Sequence, residues 1–320
     1  MVKRGNFKSP TFEITSKTKK QERSVFFMNR YAVSINNFGE TFERAREYAA
    51  AFEKSKVKRV ELSFFPFVED SELSKIHGIV ARELKTAGTA EIASIHLPFM
   101  GGGKSWDPSA VDEELRKDVS RRFAEMIRKN ADLMAPEVTL HCSMEPPLEE
   151  HPARVDQVCR TLEELMPLAE ELNFSFNVEY LPRRCVGNCP EELLAVASRF
   201  DHHHVGICMD VNHVMSRYEE LPEIIGQLSP YIRAFHLSDY DGIDEKHWFP
   251  GQGIINWTAV MGAIKAMKND PLLIFETSYQ LGLGLRQTDP AWHLKQVADG
   301  CFFLENCAEM EERIRNFELR

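Results

Sequence analysis

Short apolar runs alternate with longer amphipathic stretches along the chain from residue 31 onward. The runs are rich in β-branched residues and have the length of buried strands, whereas the stretches between them repeat apolar residues at helical spacing. Amphipathic helices are predicted over Thr41–Phe52, Asp112–Met134 and Arg154–Leu172. The eight predicted strands are Tyr31–Ile35, Val57–Leu62, Ile92–Leu97, Val138–His141, Phe174–Tyr180, Val205–Asp210, Ile232–Leu237 and Leu272–Glu276.

This alternation of strands and helices favours an α/β fold in which the strands are parallel and the crossovers are right-handed. Eight such units, over about residues 31–300, match the size of a closed (β/α)₈ TIM barrel. The alternative, an open doubly wound sheet, is typically marked by a glycine-rich pattern after its first strand. The segment Ser34–Gly39 has no such pattern, so we expect a single barrel domain over residues 25–320.

The charge of the chain is unevenly distributed. There are 39 Lys and Arg residues against 49 Asp and Glu residues, which gives a net charge of −10. Residues 1–24 nevertheless carry seven basic and two acidic side chains and show no apolar periodicity, so we expect a flexible basic arm there. Since the remainder of the chain is acidic, we do not expect nucleic acid as a partner.

The composition predicts a folded cytoplasmic protein. The apolar fraction of 43% and the charged fraction of 28% are ordinary for a chain with a packed core. No stretch reaches the roughly 18–20 apolar residues of a membrane span, and no apolar run of a secretory signal follows the basic N-terminus. Seven cysteines without a tight spacing pattern are typical of free thiols in a reducing compartment.

The candidate chemistry is concentrated at the ends of the predicted strands. In a (β/α)₈ barrel the carboxyl ends of all strands meet at one rim, which carries the reactive side chains. We therefore expect the polar residues at these strand ends to face one another. From the third strand to the eighth, these residues are His96, His141, Glu179, Asp210, His236 and Glu276.

Three of these rim residues are carboxylates, and a buried carboxylate without a partner is costly. No Lys or Arg lies within two residues of Glu179, Asp210 or Glu276 to neutralise them at these strand ends. A divalent cation, with His236 as a nitrogen ligand, would balance their charge. The alternative interpretation is a purely structural network of hydrogen bonds.

With these residues the chain resembles the xylose isomerase-like TIM barrels. That superfamily includes sugar isomerases, epimerases of the tagatose 3-epimerase type, inosose dehydratases and endonuclease IV. The resemblance extends over about residues 30–300 and is specific to the superfamily rather than to one reaction. It rests on the ordered motifs Val60-Glu61-Leu62, Asp210-x-x-His213, His236-Leu-Ser-Asp239, Pro250-Gly-Gln-Gly253-x-Ile255-x-Trp257, and Glu276.

The resemblance implies a metal site and an acid–base pair. Epimerase-like members hold one Mn²⁺, Co²⁺ or Zn²⁺ ion, and their ligands match Glu179, Asp210, His236 and Glu276. Glu179 and Glu276 would also exchange a proton with a sugar, a sugar phosphate or a sugar-like polyol through an enediolate. His213 matches a residue that contacts a substrate oxygen. Such relatives are often homodimers or homotetramers.

Other reactions of the superfamily stay open. Endonuclease IV holds three zinc ions, and further matches to its ligands are His96, His141, His213 and His247. Glu245 stands where that family has an aspartate. In small-molecule members, His96 and His141 would bind substrate instead. A lyase resembling inosose dehydratase and a sugar-binding protein without catalysis are the remaining alternatives.

Two loops are predicted to cover the rim. The polar segment between the seventh strand and Pro250 contains Lys246 and His247, which are candidate substrate-binding residues. Gly101–Ser105 is predicted to be a lid rather than a phosphate-binding loop, because Pro98 stands where that motif requires its first glycine. The run His202–His204 precedes the sixth strand and is therefore expected on the surface at the opposite end of the barrel.

Overall fold

The strands of the computed structural model form a closed barrel in sequence order, with the last strand paired to the first. Every pair is parallel, which requires a crossover connection between successive strands. The predicted (β/α)₈ fold is confirmed. The strands are β1 (Tyr31–Ser34), β2 (Arg59–Ser63), β3 (Glu91–His96), β4 (Glu137–Leu140), β5 (Ser175–Glu179), β6 (Val205–Asp210), β7 (Ile232–Leu237) and β8 (Leu272–Phe275).

Helices lie between the strands along the chain. Short 3₁₀ helices at Ala131–Leu133, Leu148–Glu150 and Met215–Glu220 complete several of the connections. A small antiparallel pair, β9 (Gln280–Leu281) with β10 (Leu285–Arg286), follows the barrel. The α-helices are α1 (Phe42–Lys54), α2 (residues 81–87), α3 (Glu113–Lys129), α4 (His151–Leu172), α5 (Pro190–Ala197), α6 (Leu221–Leu228), α7 (Trp257–Ala266) and α8 (Pro290–Glu318).

The structure describes residues 29–35, 42–63, 81–100, 103–277, 280–281, 285–286 and 289–318. The predicted basic arm, residues 1–24, lies outside these ranges, as do Gly101 and Gly102 of the predicted lid. Within these ranges, no helix combines the length and the apolar character that crossing a bilayer requires.

Helix α3 is shorter than its apolar pattern predicts. Asp112 caps its N-terminus by accepting hydrogen bonds from the backbone N–H groups of Glu114 and Leu115. At the other end, Asn130 leaves the helical conformation, with φ −117° and ψ 26°. The remaining residues of the predicted segment form the separate 3₁₀ turn Ala131–Leu133, because the chain has already left the helix at Asn130.

Two register shifts in the barrel bring polar residues side by side. One lies just before Glu61 in β2, and after it Glu61 stands opposite Ser94 of β3. Another lies in β6, and after it Asp210 stands opposite His236 of β7. Such irregularities re-aim the side chains that follow them. Both therefore act on the strand ends that form the rim.

Apolar side chains fill the barrel beneath the polar rim. Cys208, Ala234 and Ile274 belong to one fully buried cluster. Each lies two residues before a polar rim residue, and side chains two apart on a strand share a face. Asp210, His236 and Glu276 therefore lie above buried apolar side chains, which lowers the polarity of their surroundings on that side.

Candidate metal centre

Glu179, the last residue of β5, is the central acceptor of the rim and is buried. Its Oε1 lies 3.0 Å from Nδ1 of His236. Its Oε2 lies 3.0 Å from Nε2 of His96 and 3.1 Å from Nε2 of His141. One carboxylate therefore joins three imidazoles that come from the ends of three different strands.

Around His236, the structure brings together the four residues that the sequence predicts to hold a metal ion. Nδ1 of His236 lies 3.2 Å from Oε2 of Glu276 and 3.9 Å from Oδ2 of Asp210. One possible ligand atom from each of Glu179, Asp210, His236 and Glu276 lies within 4.8 Å of the others. We call these four residues the acidic quartet.

Two further groups of possible ligands flank the acidic quartet. The first consists of His96, His141 and Glu179, and the second of Asp210, His213 and His247. In each group the possible ligand atoms again lie within 4.8 Å of one another. Because Glu179 and Asp210 belong also to the acidic quartet, the three groups form one continuous patch.

His213 and His247, both predicted to bind substrate, lie beside one another at the rim with ring centroids 5.5 Å apart. Nδ1 of His213 lies 2.9 Å from the backbone carbonyl oxygen of Tyr180, which fixes its ring. Nδ1 of His247 lies 3.1 Å from Oγ of Ser238 and 3.8 Å from Oε2 of Glu276. Both imidazoles line the cavity above the quartet.

The loop after β7 separates two neighbouring residues that were both predicted to act at the site. Glu245 lines the cavity and accepts a hydrogen bond of 2.8 Å from Arg183. Lys246 is exposed, lies 3.8 Å from the carboxylate of Asp244, and is not one of the residues that line the cavity. Arg183 also donates to Asp244 at 2.7 Å and thereby links the loops after β5 and β7.

The acidic groups of the quartet titrate differently. Burial would raise the pKa of Glu179, but its hydrogen bonds and electrostatic interactions with His141 and His236 together outweigh burial and hold that pKa well below its usual range. For Asp210, burial raises the pKa well above its usual range, and the charge of His247 opposes this only in part. Of these two carboxylates, Glu179 is stabilised as an anion and Asp210 needs a further positive charge to ionise.

The pKa values of the two histidines that flank Glu179 are also shifted in opposite directions. Burial lowers the pKa of His96, but its hydrogen bond to Glu179 and the charges of Glu179, Glu61 and Glu276 together outweigh burial and raise the pKa to about 9. At His141, burial lowers the pKa by more than the charge of Glu179 and its hydrogen bond raise it, so the pKa lies below its usual value. His141, which lines the cavity, is therefore a neutral imidazole at neutral pH and can accept a proton or donate one from a ring nitrogen.

The donor set of the quartet suits a divalent cation. Three carboxylates surround one imidazole, and Oδ2 of Asp210 is buried without a hydrogen-bond partner in the described part of the chain. Within the same residues, the ion-pair partners of Glu179 and Asp210 are histidines rather than Lys or Arg. Carboxylate oxygen and imidazole nitrogen are ligands of Zn²⁺, Mn²⁺ and Co²⁺.

A cavity of about 270 Å³ opens above the quartet. One of its walls is apolar, and there the ring of Phe99 stacks on His141 with centroids 4.1 Å apart. A concave site of this size suits one small molecule. The cavity is lined by Phe99, Met100, His141, Ser143, Met144, Glu145, Glu179, Leu181, Pro182, Arg183, Cys185, His213, Glu245, His247 and Glu276.

Asp239 organises the loop that carries Glu245 and His247, a role that the sequence analysis did not assign. It is fully buried and accepts four hydrogen bonds of 2.7 to 3.1 Å. The motif His236-Leu-Ser-Asp239 contained this residue, but a motif does not show which donors a carboxylate will meet. The donors are the backbone N–H groups of Tyr240, Gly251 and Ile255 and the indole N–H of Trp257.

Glu61 is a second residue to which the sequence analysis assigned no role. It is fully buried, and its Oε2 accepts a hydrogen bond of 2.8 Å from Ser94. The same oxygen lies 3.2 Å from Nε2 of His236. The signal in the sequence was a charged residue between two apolar residues of β2, Val60 and Leu62. A charged side chain at such a buried position needs a polar or charged partner.

The remaining sequence features lie away from the quartet. His202 and His203 are exposed at the opposite end of the barrel, as predicted for the run His202–His204. All seven cysteines are free thiols, although Cys185 lines the cavity. Lys104 of the predicted lid is exposed.

Comparison with known proteins identifies a family. The profile of a family described as "Xylose isomerase-like TIM barrel" matches residues 62–293. A curated relative, an uncharacterised protein of Methanocaldococcus jannaschii, is 26% identical over 200 residues. The matched part covers 61% of this chain and 67% of the relative.

Solved structures with the same fold include sugar epimerases. A D-tagatose 3-epimerase-like protein has a TM-score of 0.63 at 21% identity, with 86% of this chain and 98% of that chain covered. D-psicose 3-epimerase from Clostridium cellulolyticum H10, solved with D-tagatose, has a TM-score of 0.63 at 15% identity, with 88% and 98% covered. At these identities the likeness shows the fold.

Proposed function

Because the chain belongs to the family of xylose isomerase-like TIM barrels, we propose that it is a metal-dependent isomerase or epimerase. Its substrate would be a sugar or a sugar-like polyol, on which it moves a proton beside the carbonyl group. The observation that carries the proposal is the acidic quartet beneath a cavity of small-molecule size. The likeness of the barrel to sugar epimerases supports it.

Glu179, Asp210, His236 and Glu276 would hold the ion. When bound, a divalent cation supplies positive charge that polarises a carbonyl oxygen and acidifies the neighbouring C–H bond. That positive charge would also offset the cost of burying Asp210, whose Oδ2 has no hydrogen-bond partner among the described residues. The same electrostatic argument accounts for why β5, β6, β7 and β8 each carry an ionisable group within one residue of their carboxyl end.

Glu276 and Glu179 are the proposed acid–base pair. Both line the cavity, and both contact Nδ1 of His236, at 3.2 and 3.0 Å. The pKa of Glu276 is lowered: burial would raise it, but the charge of His236, its hydrogen bond to Glu276 and the charge of His247 together outweigh burial. The carboxylate form, which is the form that accepts a proton, is therefore present at neutral pH. A positioned base of this kind contributes on the order of 10²–10⁴ to the rate.

Three imidazoles that line the cavity would bind the substrate hydroxyl groups. His141, His213 and His247 line the same cavity as the two glutamates. Imidazole nitrogens donate or accept hydrogen bonds according to the tautomer, so they suit hydroxyl groups in either role. Phe99 and Leu181 add an apolar wall for the C–H face of a sugar.

Solvent exchange tests the proposal. The purified chain is stripped with a chelator, reloaded with Mn²⁺, Co²⁺ or Zn²⁺, and incubated in D₂O with D-tagatose or D-psicose. We expect deuterium to enter the sugar at the carbon beside the carbonyl, and only in the reloaded protein. Glu276→Gln should abolish the exchange. The matched control is Glu137→Gln, which removes a carboxylate that pairs with Arg233 at 2.8 Å, away from the cavity.

A second candidate, a multi-metal phosphodiester hydrolase, is favoured by one observation. The two groups that flank the quartet offer further imidazoles, so the patch has ligands for more than one ion. The charge of the cavity favours the first candidate, because Arg183, its one cationic lining residue among those described, is already paired with Asp244 and Glu245. Cleavage of DNA with an abasic site, without exchange into sugars, would establish the hydrolase instead.

A further inference from the structure

His236 is held from both sides of its ring. On one side, Nδ1 faces Oε1 of Glu179 and Oε2 of Glu276 at 3.0 and 3.2 Å. On the other side, Nε2 lies 3.2 Å from Oε2 of Glu61. Glu61 is itself fixed, because Ser94 donates a hydrogen bond to the same oxygen at 2.8 Å.

The chemistry of the two sides decides where the proton of the ring sits. A carboxylate oxygen accepts hydrogen bonds and does not donate them, so the contact with Glu61 needs a proton on Nε2. With Nε2 protonated, Nδ1 faces only acceptor oxygens, those of Glu179 and Glu276. A cation bound there would take the place of the Nδ1 proton of the charged ring, and Nδ1 would then offer its lone pair as a ligand.

We propose that Glu61 is the positioning residue of the metal centre: it fixes the orientation and the tautomer of His236 so that Nδ1 is available to the cation. This inference rests on the metal site of the proposed function. A carboxylate that orients a metal-bound histidine in this way typically changes metal affinity by 10–100-fold.

The surroundings of Glu61 argue against a purely packing role. It is fully buried, and its Oε1 has no hydrogen-bond partner among the residues the structure describes. An apolar residue at this place in β2 would avoid that cost. The register shift just before Glu61 sets it opposite Ser94, and from there its carboxylate reaches His236. The strand thus deviates from regular pairing at the position where the contact is made.

Metal affinity tests the inference. Zn²⁺ and Co²⁺ are titrated against a competing chelator into the full-length, metal-stripped chain and its variants. We expect Glu61→Gln to weaken Zn²⁺ binding by about 10–100-fold and to change the visible spectrum of the Co²⁺ form. The matched control, Glu137→Gln, should leave both unchanged, since Glu137 pairs with Arg233 instead.

Two more variants separate positioning from packing. Ser94→Ala keeps Glu61 but removes its hydrogen bond, and this variant is expected to fold. Its Zn²⁺ affinity should fall below that of wild type, but by less than in Glu61→Gln. In a His236→Ala background, Glu61→Gln should weaken binding no further. The inference would be overturned if Glu61→Gln and wild type bound Zn²⁺ with equal affinity. It would also be overturned if Glu61→Gln weakened Zn²⁺ binding just as much in the His236→Ala background.

The outcome for Glu61 is distinguishable from that for the proposed function. A chain that binds Zn²⁺, responds to Glu61→Gln and fails to exchange deuterium into sugars contradicts the proposed reaction and supports the role of Glu61. A chain that exchanges deuterium but binds Zn²⁺ equally well in wild type and Glu61→Gln supports the proposed reaction and contradicts the role of Glu61. A wild-type chain that binds neither ion overturns both.

Discussion

The carboxylate of Glu179 lies 3.0 Å from Nδ1 of His236, and both side chains are buried at the carboxyl ends of their strands. The second oxygen of Glu179 contacts His96 and His141. Glu179 therefore connects the proposed metal site to the histidines on the other side of the rim. A substitution of Glu179 should therefore affect both the proposed metal site and these histidines.

Glu179→Gln should abolish turnover without unfolding the protein. The amide has nearly the same shape but cannot take up a proton, so a rate loss on the order of 10²–10⁴ is expected. Deuterium exchange into a ketohexose measures the rate, and circular dichroism confirms the fold. Full activity in Glu179→Gln would remove this residue from the acid–base pair.

The sequence predicted the barrel well because its signal is local. β6 and β7 have the predicted bounds, Val205–Asp210 and Ile232–Leu237, since continuous apolar runs mark buried parallel strands. Polar residues at the ends of such strands must meet at one rim, whatever the loops do. The acidic quartet was predictable for that reason.

Contacts made across the barrel or within loops were not predictable. Glu61 reaches His236 from a strand 175 positions away in sequence, and this depends on a register shift that no local pattern shows. Lys246 and His247 are neighbours in sequence, yet only His247 lines the cavity. The fold of that loop is set by the four hydrogen bonds to Asp239.

Asp239→Ala should destabilise the protein strongly. Its four donors are buried or partly buried, and a buried donor that loses its acceptor costs about 1–3 kcal/mol, so the free energy of unfolding should fall by roughly 3 kcal/mol or more. Asp239→Asn retains one acceptor oxygen, so its free energy of unfolding should lie between those of Asp239→Ala and wild type. Urea unfolding measures all three, with Asp270→Asn as the control, because Asp270 is exposed and its ion pair spans 3.8 Å. Equal stability of Asp239→Ala and wild type would contradict the role of Asp239.

Two glycines should respond to alanine in opposite ways. A Cβ at Gly253 would lie 2.2 Å from the backbone oxygen of Tyr240 and 2.5 Å from Oδ1 of Asp239, so Gly253→Ala must displace the loop. A Cβ at Gly262, within α7, would meet nothing within 4 Å. Gly262→Ala should therefore stabilise the helix by about 0.5–1 kcal/mol. The two thermal unfolding curves should shift in opposite directions, and a shift in the same direction would refute this account of the loop.

His293 should make the protein sensitive to acid. Burial lowers its pKa from 6.5 to about 3. Between these values the unfolded chain binds a proton that the folded chain does not, so this contribution is complete above about pH 6.5 and falls as the pH drops towards 3. From about pH 8 to about pH 5, wild type should lose ~2 kcal/mol more stability than His293→Leu. Urea unfolding at both pH values measures the difference, and parallel losses would contradict burial of a neutral imidazole.

Anomalous diffraction from crystals of the chain grown with Zn²⁺ or Mn²⁺ shows whether the acidic quartet binds an ion. We expect a peak about 2.0–2.2 Å from ligand atoms of Glu179, Asp210, His236 and Glu276. Further peaks beside His96 and His141, or beside His213 and His247, would favour the multi-metal hydrolase. A protein that retains full activity while no ion occupies the acidic quartet would contradict the account.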